Sequence, residues 1–198
     1  RTLIDKKDLK LVNEKNICLF LDSNAHMVTY PVNNKNEINL VFILRKKLTQ
    51  EILKDINFFN KKDNYMDMIN NYLFPENENQ QNLSSSIKDF KCFPIFVSDK
   101  LRKNKFKNTF FLGDAFFASP PTFAQGAAQS IEAAYELFNI LNKNEINFDK
   151  YFIKRTQRVK MTNRRSKFNH MIFHISNPIL ILIRKIILKA AVTNRIFL

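Results

Sequence analysis

FFLGDAFFASPPTFAQGAAQSIEAAYEL, residues Phe110 to Leu137, holds both glycines of a 198-residue chain. Average usage would give about 14 in a chain of this length. Where glycine is so scarce, each one marks a place where the backbone needs a positive φ or must come close to another group. The apolar, extended run Asn108 to Leu112 ends at Gly113, and strong helix formers follow from Gln125 to Leu141. The pattern predicts a strand, a loop stiffened by Pro120 and Pro121, and a helix, with Gly113 and Gly126 at the two ends of the loop.

Such a turn suits ligand chemistry. The start of the predicted helix, Gln125 to Ala128, exposes backbone N–H groups and the positive end of the helix dipole, and its small side chains admit close approach. Asp114, just past the predicted strand, is placed to accept hydrogen bonds from ligand hydroxyls. The plainer reading is that Gly-Asp is only a turn and the rest only a buried Ala-rich helix.

Upstream, Ile17 to Leu21 and Ala25 to Val32 are short apolar, β-branched runs separated by Asp22, Ser23 and Asn24, which predicts a hairpin. A second turn at Asn33 to Asn36 leads into a third antiparallel strand, Ile38 to Leu44. Thr49 to Leu73 reads as two helices joined by a polar turn, Pro75 to Ser86 as a polar loop, and Phe93 to Val97 as a further strand. Downstream, Asp149 is a candidate cap for a helix through Tyr151, Val159 and Phe168, and Asn177 with Pro178 starts the last helix. The expected fold class is α/β, mixed α and β, with a mixed sheet. The expected domains are 1–105 with strands and helices, 106–145 with the Gly-Asp segment, and 146–198 with C-terminal helices.

Composition excludes more than it assigns. Apolar residues make up 45% and charged residues 25%, the balance of a chain that folds. The net charge of +14 accompanies twenty phenylalanines and many Lys, Asn and Ile residues, a bias expected of an AT-rich genome. Basic residues are scattered from Lys6 to Arg195 rather than gathered with aromatics on one element, so nucleic acid is not an expected partner. Cys18 and Cys92 lack metal or redox spacing, and no metal is expected. The first residue is Arg1 rather than Met, so the sequence reads as a fragment, with a cytoplasmic location as the default. The apolar stretch Pro178 to Leu188 is interrupted by Arg184 and Lys185 and is short of a bilayer span. It is a candidate for peripheral membrane contact.

His26, Val28 and Tyr30 share one strand face, making His26 and Tyr30 candidates for binding or deprotonating a phenol. Packing for the tyrosine and solvent for the histidine are the plainer readings. His170 and His174 stand one helical turn apart with no further metal ligand nearby, as surface histidines do. Arg155, Arg158, Arg164 and Arg165 are candidates for meeting the phosphates of NADPH or a membrane surface, with a solvated helix face as the plainer reading.

The Phe110 to Leu137 window resembles the second flavin-binding motif of the class A flavoprotein monooxygenases, the group of the p-hydroxybenzoate, salicylate and ubiquinone-pathway hydroxylases. That motif runs GDAAH, a short spacer, P, then QG or KG, small residues and an ED-A helix. Here it is matched by Gly113, Asp114 and Ala115, by Pro120, Pro121 and Thr122, by Ala124 to Ala128, and by Ile131, Glu132 and Ala133. The family's Ala-His is replaced by Phe116 and Phe117, and its Asp after the helix Glu by Ala133. Tyr30, Pro31, Asn39, Leu40 and Val41 resemble substrate-domain strands of that group. Tyr151, Arg155, Arg158, Val159 and Ser166 resemble the segment after its flavin helix.

The resemblance implies the C-terminal part of an FAD-dependent aromatic hydroxylase, with NAD(P)H as co-substrate and a flavin hydroperoxide passing one oxygen to a small aromatic substrate. Its implied cofactor-binding residues are Gly113, Asp114, Pro121, Gln125, Gly126, Ala127 and Ala128. Asp114 would meet the ribityl hydroxyls, and the Gly126 to Ala128 backbone the pyrimidine end of the isoalloxazine. The family's N-terminal Rossmann βαβ unit, with its GxGxxG turn for the ADP half, has no counterpart in these residues. Two alternatives stand beside this reading: a related flavin enzyme acting on a membrane-associated quinone or isoprenoid, and a non-catalytic basic binding module.

Overall fold

The computed structural model describes residues 1–5, 7, 16–55, 57–61, 64, 90–102, 109–142 and 148–193. They fall in two compact units, one formed by Arg1–Pro94 with Phe173–Leu198 and the other by Ile95–Ile172.

The first unit is built on a four-stranded sheet of β1 (Thr2–Asp5), β2 (Cys18–Leu21), β3 (Ala25–Val32) and β4 (Glu37–Leu44), in the order β1-β4-β3-β2. All three pairings are antiparallel, so the sheet is not mixed. Its two turns form as their side chains dictate. The Asp22 side chain accepts from the backbone N–H of Asn24 at 3.0 Å, and the Asp22 N–H donates to the Ala25 carbonyl at 2.9 Å. Asn33 and Asn34 take φ of 49° and 56°, left-handed values that asparagine tolerates. β3 and β4 then pair from Ala25 opposite Leu44 to Val32 opposite Glu37. One sheet face buries Ile4, Ile38 and Leu40 with Thr2 and Thr29; the other holds His26, Tyr30 and the buried Asn39, whose Oδ1 accepts from Arg1 Nε at 2.8 Å.

The first helix after the sheet, α1 (Gln50–Lys54), is shorter than its periodicity predicts. Thr49 caps it, accepting from Ile52 N at 3.4 Å, and the Asp55 carboxylate stops it by accepting from Asn57 N at 2.9 Å, a local bond that competes with the helix. A 3₁₀ turn, Phe58–Asn60, follows. The second helix expected before Leu73 and the polar loop Pro75 to Ser86 lie outside the described residues.

Phe93 to Val97 is not a strand: it pairs with no strand among the described residues, and Phe93, Ile95, Phe96 and Val97 are exposed. Beyond it the chain is held by a two-way link, Ser98 N to the Ala118 carbonyl at 2.9 Å and Ala118 N to Ser98 Oγ at 3.0 Å.

The second unit contains α2 (Gly113–Phe116), α3 (Gly126–Leu141) and all but the last residue of α4 (Phe148–Phe173). Of the strand expected at Asn108 to Leu112, Asn108 lies outside the described residues, and 109–112 pair with no strand among the described residues, although Leu112 has extended angles, φ −123° and ψ 158°. α4 has Asp149 in its first turn, where it complements the dipole, and buries one stripe: Tyr151, Arg155, Val159, Thr162 and Ser166.

The last helix, α5 (Pro178–Thr193), returns to the first unit. Asn177 caps it as expected, accepting from Ile179 N at 3.0 Å and Leu180 N at 3.2 Å, with Pro178 in the first turn. No single described helix is long and apolar enough to cross a membrane.

Candidate functional site

Gly113 takes φ +54°, the left-handed region its scarcity predicts, and starts the one-turn helix α2 instead of closing a strand. A Cβ there would collide with the Ser130 side chain, whose hydroxyl is committed to the Gly126 carbonyl at 3.1 Å. Gly113 therefore lets α2 lie against the first turns of α3. Left-handed strain and overpacking together make Gly113→Ala cost about 2–5 kcal/mol. Urea denaturation measures this, and a variant as stable as the parent would mean that the α2 turn moves off α3 without cost.

After α2, the Gly113 carbonyl accepts from Phe117 N at 3.0 Å, and the Pro121–Phe123 3₁₀ turn closes on Ala124 at φ 52°. That turn is lashed to α4: Thr122 Oγ1 donates to the Ser166 carbonyl at 2.6 Å, and Asn169 Nδ2 donates to the Thr122 carbonyl at 3.1 Å. Arg165 lies over the Phe123 ring, 5.8 Å from its centre. The loop is thus fixed at both ends and does not rest on its two prolines alone.

α2, the loop, α3 and α4 enclose a cavity of about 170 Å³. Gly113, Asp114, Pro121, Gln125 and Gly126 line it, as do Phe111, Phe116, Phe117 and Phe152, and its α4 side is the stripe Tyr151, Arg155, Val159, Thr162 and Ser166. Five of the seven residues expected to hold the cofactor are brought to this one cavity; Ala127 and Ala128 are exposed on the first turn of α3 beside it. No side chain caps α3 and no acidic residue stands in its first turn, which leaves the positive end of a 16-residue helix for an outside acceptor. Gly126 needs neither a special φ nor close packing, since a Cβ built on it meets nothing within 4 Å. Gly126 is exposed, so the start of α3 is open to solvent there. The Asp114 side chain is exposed at the rim.

Of the four arginines of α4, Arg164 and Arg165 are solvated as expected, but Arg155 and Arg158 are not free on a solvated face. Arg155 is 2% exposed, because its guanidinium is surrounded by acceptors: Glu132 at 3.2 Å, Glu136 at 3.5 Å, the Gln129 carbonyl at 3.2 Å and Gln129 Oε1 at 3.1 Å. Arg158 Nε meets both oxygens of Glu132 at 3.1 Å, and Lys154 meets Glu136 at 2.8 Å. Arg164 and Arg165 are exposed. Burial raises the Glu132 carboxyl pKa, but the hydrogen bond from Arg158 and the charges of both arginines outweigh it and hold the group below the ordinary range. Tyr151 donates to the Ala133 carbonyl at 3.3 Å, and burial pushes its phenol up. Of the five positions Tyr151, Arg155, Arg158, Val159 and Ser166, four thus bond to α3 or the loop and Val159 is buried on the cavity wall.

His26 and Tyr30 belong to the first unit. His26 is not solvent-facing. Its Nδ1 lies 3.1 Å from His174 Nε2, both rings are buried, and Phe173 meets the His26 ring edge-on with centroids 5.3 Å apart. His174 is likewise no surface helix residue: α4 ends at Phe173, one residue before it, so the helical spacing from His170 is lost. Tyr30 is half-buried opposite Asn39. Among the described residues no cluster of three or more His, Cys, Asp or Glu side chains could hold a metal ion.

Sequence reasoning missed Gln129 and Thr162 as cavity residues. The signal was present for the α4 side, since Tyr151, Arg155, Val159, Thr162 and Ser166 follow steps of four, four, three and four residues, a single helix stripe. Polar side chains at three of those positions concealed it. Compared as a sequence, the chain matches no family model and no curated protein.

Proposed function

We propose that the chain is the flavin-contacting part of an FAD-dependent, NAD(P)H-using hydroxylase of small aromatic compounds. The observation that carries this reading is the convergence of Gly113, Asp114, Pro121, Gln125 and Gly126 on one cavity at the uncapped N-terminus of α3. The residues fit the ribityl and isoalloxazine portion of the cofactor. Asp114 would accept from ribityl hydroxyls, and the first-turn N–H groups of α3 would face the electron-rich pyrimidine edge. The open space at Gly126 allows the approach, and the phenylalanine-lined walls suit a planar ring and keep water from it.

When bound, FAD supplies the redox chemistry, taking electrons from NAD(P)H and activating oxygen for transfer to the ring. The protein's part is orientation and electrostatics: the positive end of α3 favours negative charge on the flavin pyrimidine. The buried Arg155 network sits behind this surface and fixes α3 on α4; it is a positioning element. With only two glycines, these 198 residues have no room for a GxGxxG turn, so on this reading a segment outside them holds the ADP half.

The test is spectral. The protein that includes the upstream sequence should purify yellow, release FAD on acid treatment, and consume NAD(P)H and oxygen together when offered an electron-rich phenol. A colourless protein that takes up no FAD would overturn the reading.

A further inference from the structure

α5 is turned inside out for a helix in water. Ile179, Leu180, Leu182, Ile183, Ile186 and Ile187 are 45–68% exposed, and their spacing makes one outward apolar stripe along the N-terminal half of the helix. The face turned inward carries a charge: Arg184 is buried and donates to the Phe173 carbonyl at 2.8 Å. That bond holds the helix with its arginine in and its isoleucines out. Lys185 and Lys189, both exposed, run along one edge of the stripe a single turn apart, and α5 contains no Asp or Glu.

We propose that α5 is a docking face for an anionic lipid bilayer, lying in the plane of the interface. An apolar stripe with lysines along its border is the pattern that sinks into the acyl boundary while ammonium groups reach the headgroups. Charge selects this occupant over a second copy of the chain, because the face and the whole molecule are positive, with 32 Lys and Arg against 18 Asp and Glu. Two copies meeting through α5 would bring their lysines together. The inference stands apart from the flavin reading, since it uses none of the cavity residues.

Flotation of the full chain with phosphatidylcholine vesicles, with and without phosphatidylglycerol, tests it. The chain is expected to float with the anionic vesicles and to lose binding as salt is raised. Lys185→Gln and Lys189→Gln should each lower the partition coefficient about fivefold, and Leu182→Asp with Ile186→Asp about a hundredfold or more. Both apolar positions face solvent, so these variants should keep the far-ultraviolet circular dichroism of the parent. No flotation, or flotation indifferent to the aspartates, would overturn the proposal. So would a dimer in sedimentation velocity that the aspartates dissolve without any vesicle binding, which would assign the stripe to a second copy.

Discussion

Arg155→Met is expected to destabilise the α3–α4 pair by about 3–5 kcal/mol, the cost of breaking a buried charge pair by removing one partner. The substitution leaves Glu136 with Lys154, leaves Glu132 with Arg158, and removes the arginine donor from the Gln129 carbonyl and side-chain oxygen. Methionine fills much of the same volume, so the loss is electrostatic and not a cavity. Adding Glu136→Leu should recover part of it, because an uncompensated carboxylate goes as well, and the non-additivity of the two changes measures their coupling. The network also fixes a pH dependence. The folded-state pKa of Glu132 is depressed, so its stabilisation is present above the ordinary glutamate value of 4.5 and is lost as pH falls through the folded value. Glu132→Gln should flatten the acid limb of the stability profile. Urea denaturation between neutral and acid pH reads both effects, and an Arg155→Met variant within about 0.5 kcal/mol of the parent would mark the network as an ordinary surface one.

The parts of this fold that were legible in the sequence are those governed by local chemistry. Asp22, Asn24, Asn33 and Asn34 dictate their turns through side-chain bonds and left-handed tolerance, so the β2-β3-β4 meander could be read almost residue by residue. Asn177 and Pro178 mark the start of α5 in the same way. Gly113 meets the expectation drawn from glycine scarcity with its positive φ, whereas Gly126 has neither a positive φ nor a close neighbour. β1 was invisible because four residues, Thr2 to Asp5, are too few for an alternating pattern; only pairing with β4 makes them a strand. The run Phe93 to Val97 has strand composition but no strand beside it among the described residues, which is why composition misled.

Burial of polar side chains was the part that sequence could not supply. Arginine is mostly exposed and histidine only intermediate in burial, yet Arg155, Arg184, His26 and His174 are all buried, each against a partner elsewhere in the chain. Glu132 and Glu136 are 23 and 19 positions from Arg155, and His174 is 148 positions from His26. No local pattern encodes those separations. Glu132 was singled out with the Phe110 to Leu137 window and Arg155 and Arg158 with a separate later segment, and nothing local in either stretch joins them into the one network that the fold makes of them.

The cavity is where stability and ligand binding can be separated. In the protein extended upstream, Asp114→Ala is expected to weaken FAD binding about tenfold to a hundredfold or more. Each hydrogen bond to a charged acceptor contributes on the order of 1.5–3 kcal/mol. Asp114 is exposed at the rim, so its loss should leave stability nearly unchanged. Gly126→Ala makes the sharper test. In the protein alone its Cβ meets nothing within 4 Å, and replacing glycine by alanine where the backbone is compatible stabilises by about 0.4–1 kcal/mol through the unfolded chain. The same methyl stands where the proposed pyrimidine edge approaches α3, so affinity should fall while stability rises. Flavin fluorescence titration beside urea denaturation reads both quantities. If the two variants bind FAD as tightly as the parent, Asp114 and the start of α3 are not the flavin site; if Gly126→Ala also loses stability, its glycine serves the fold and not a ligand.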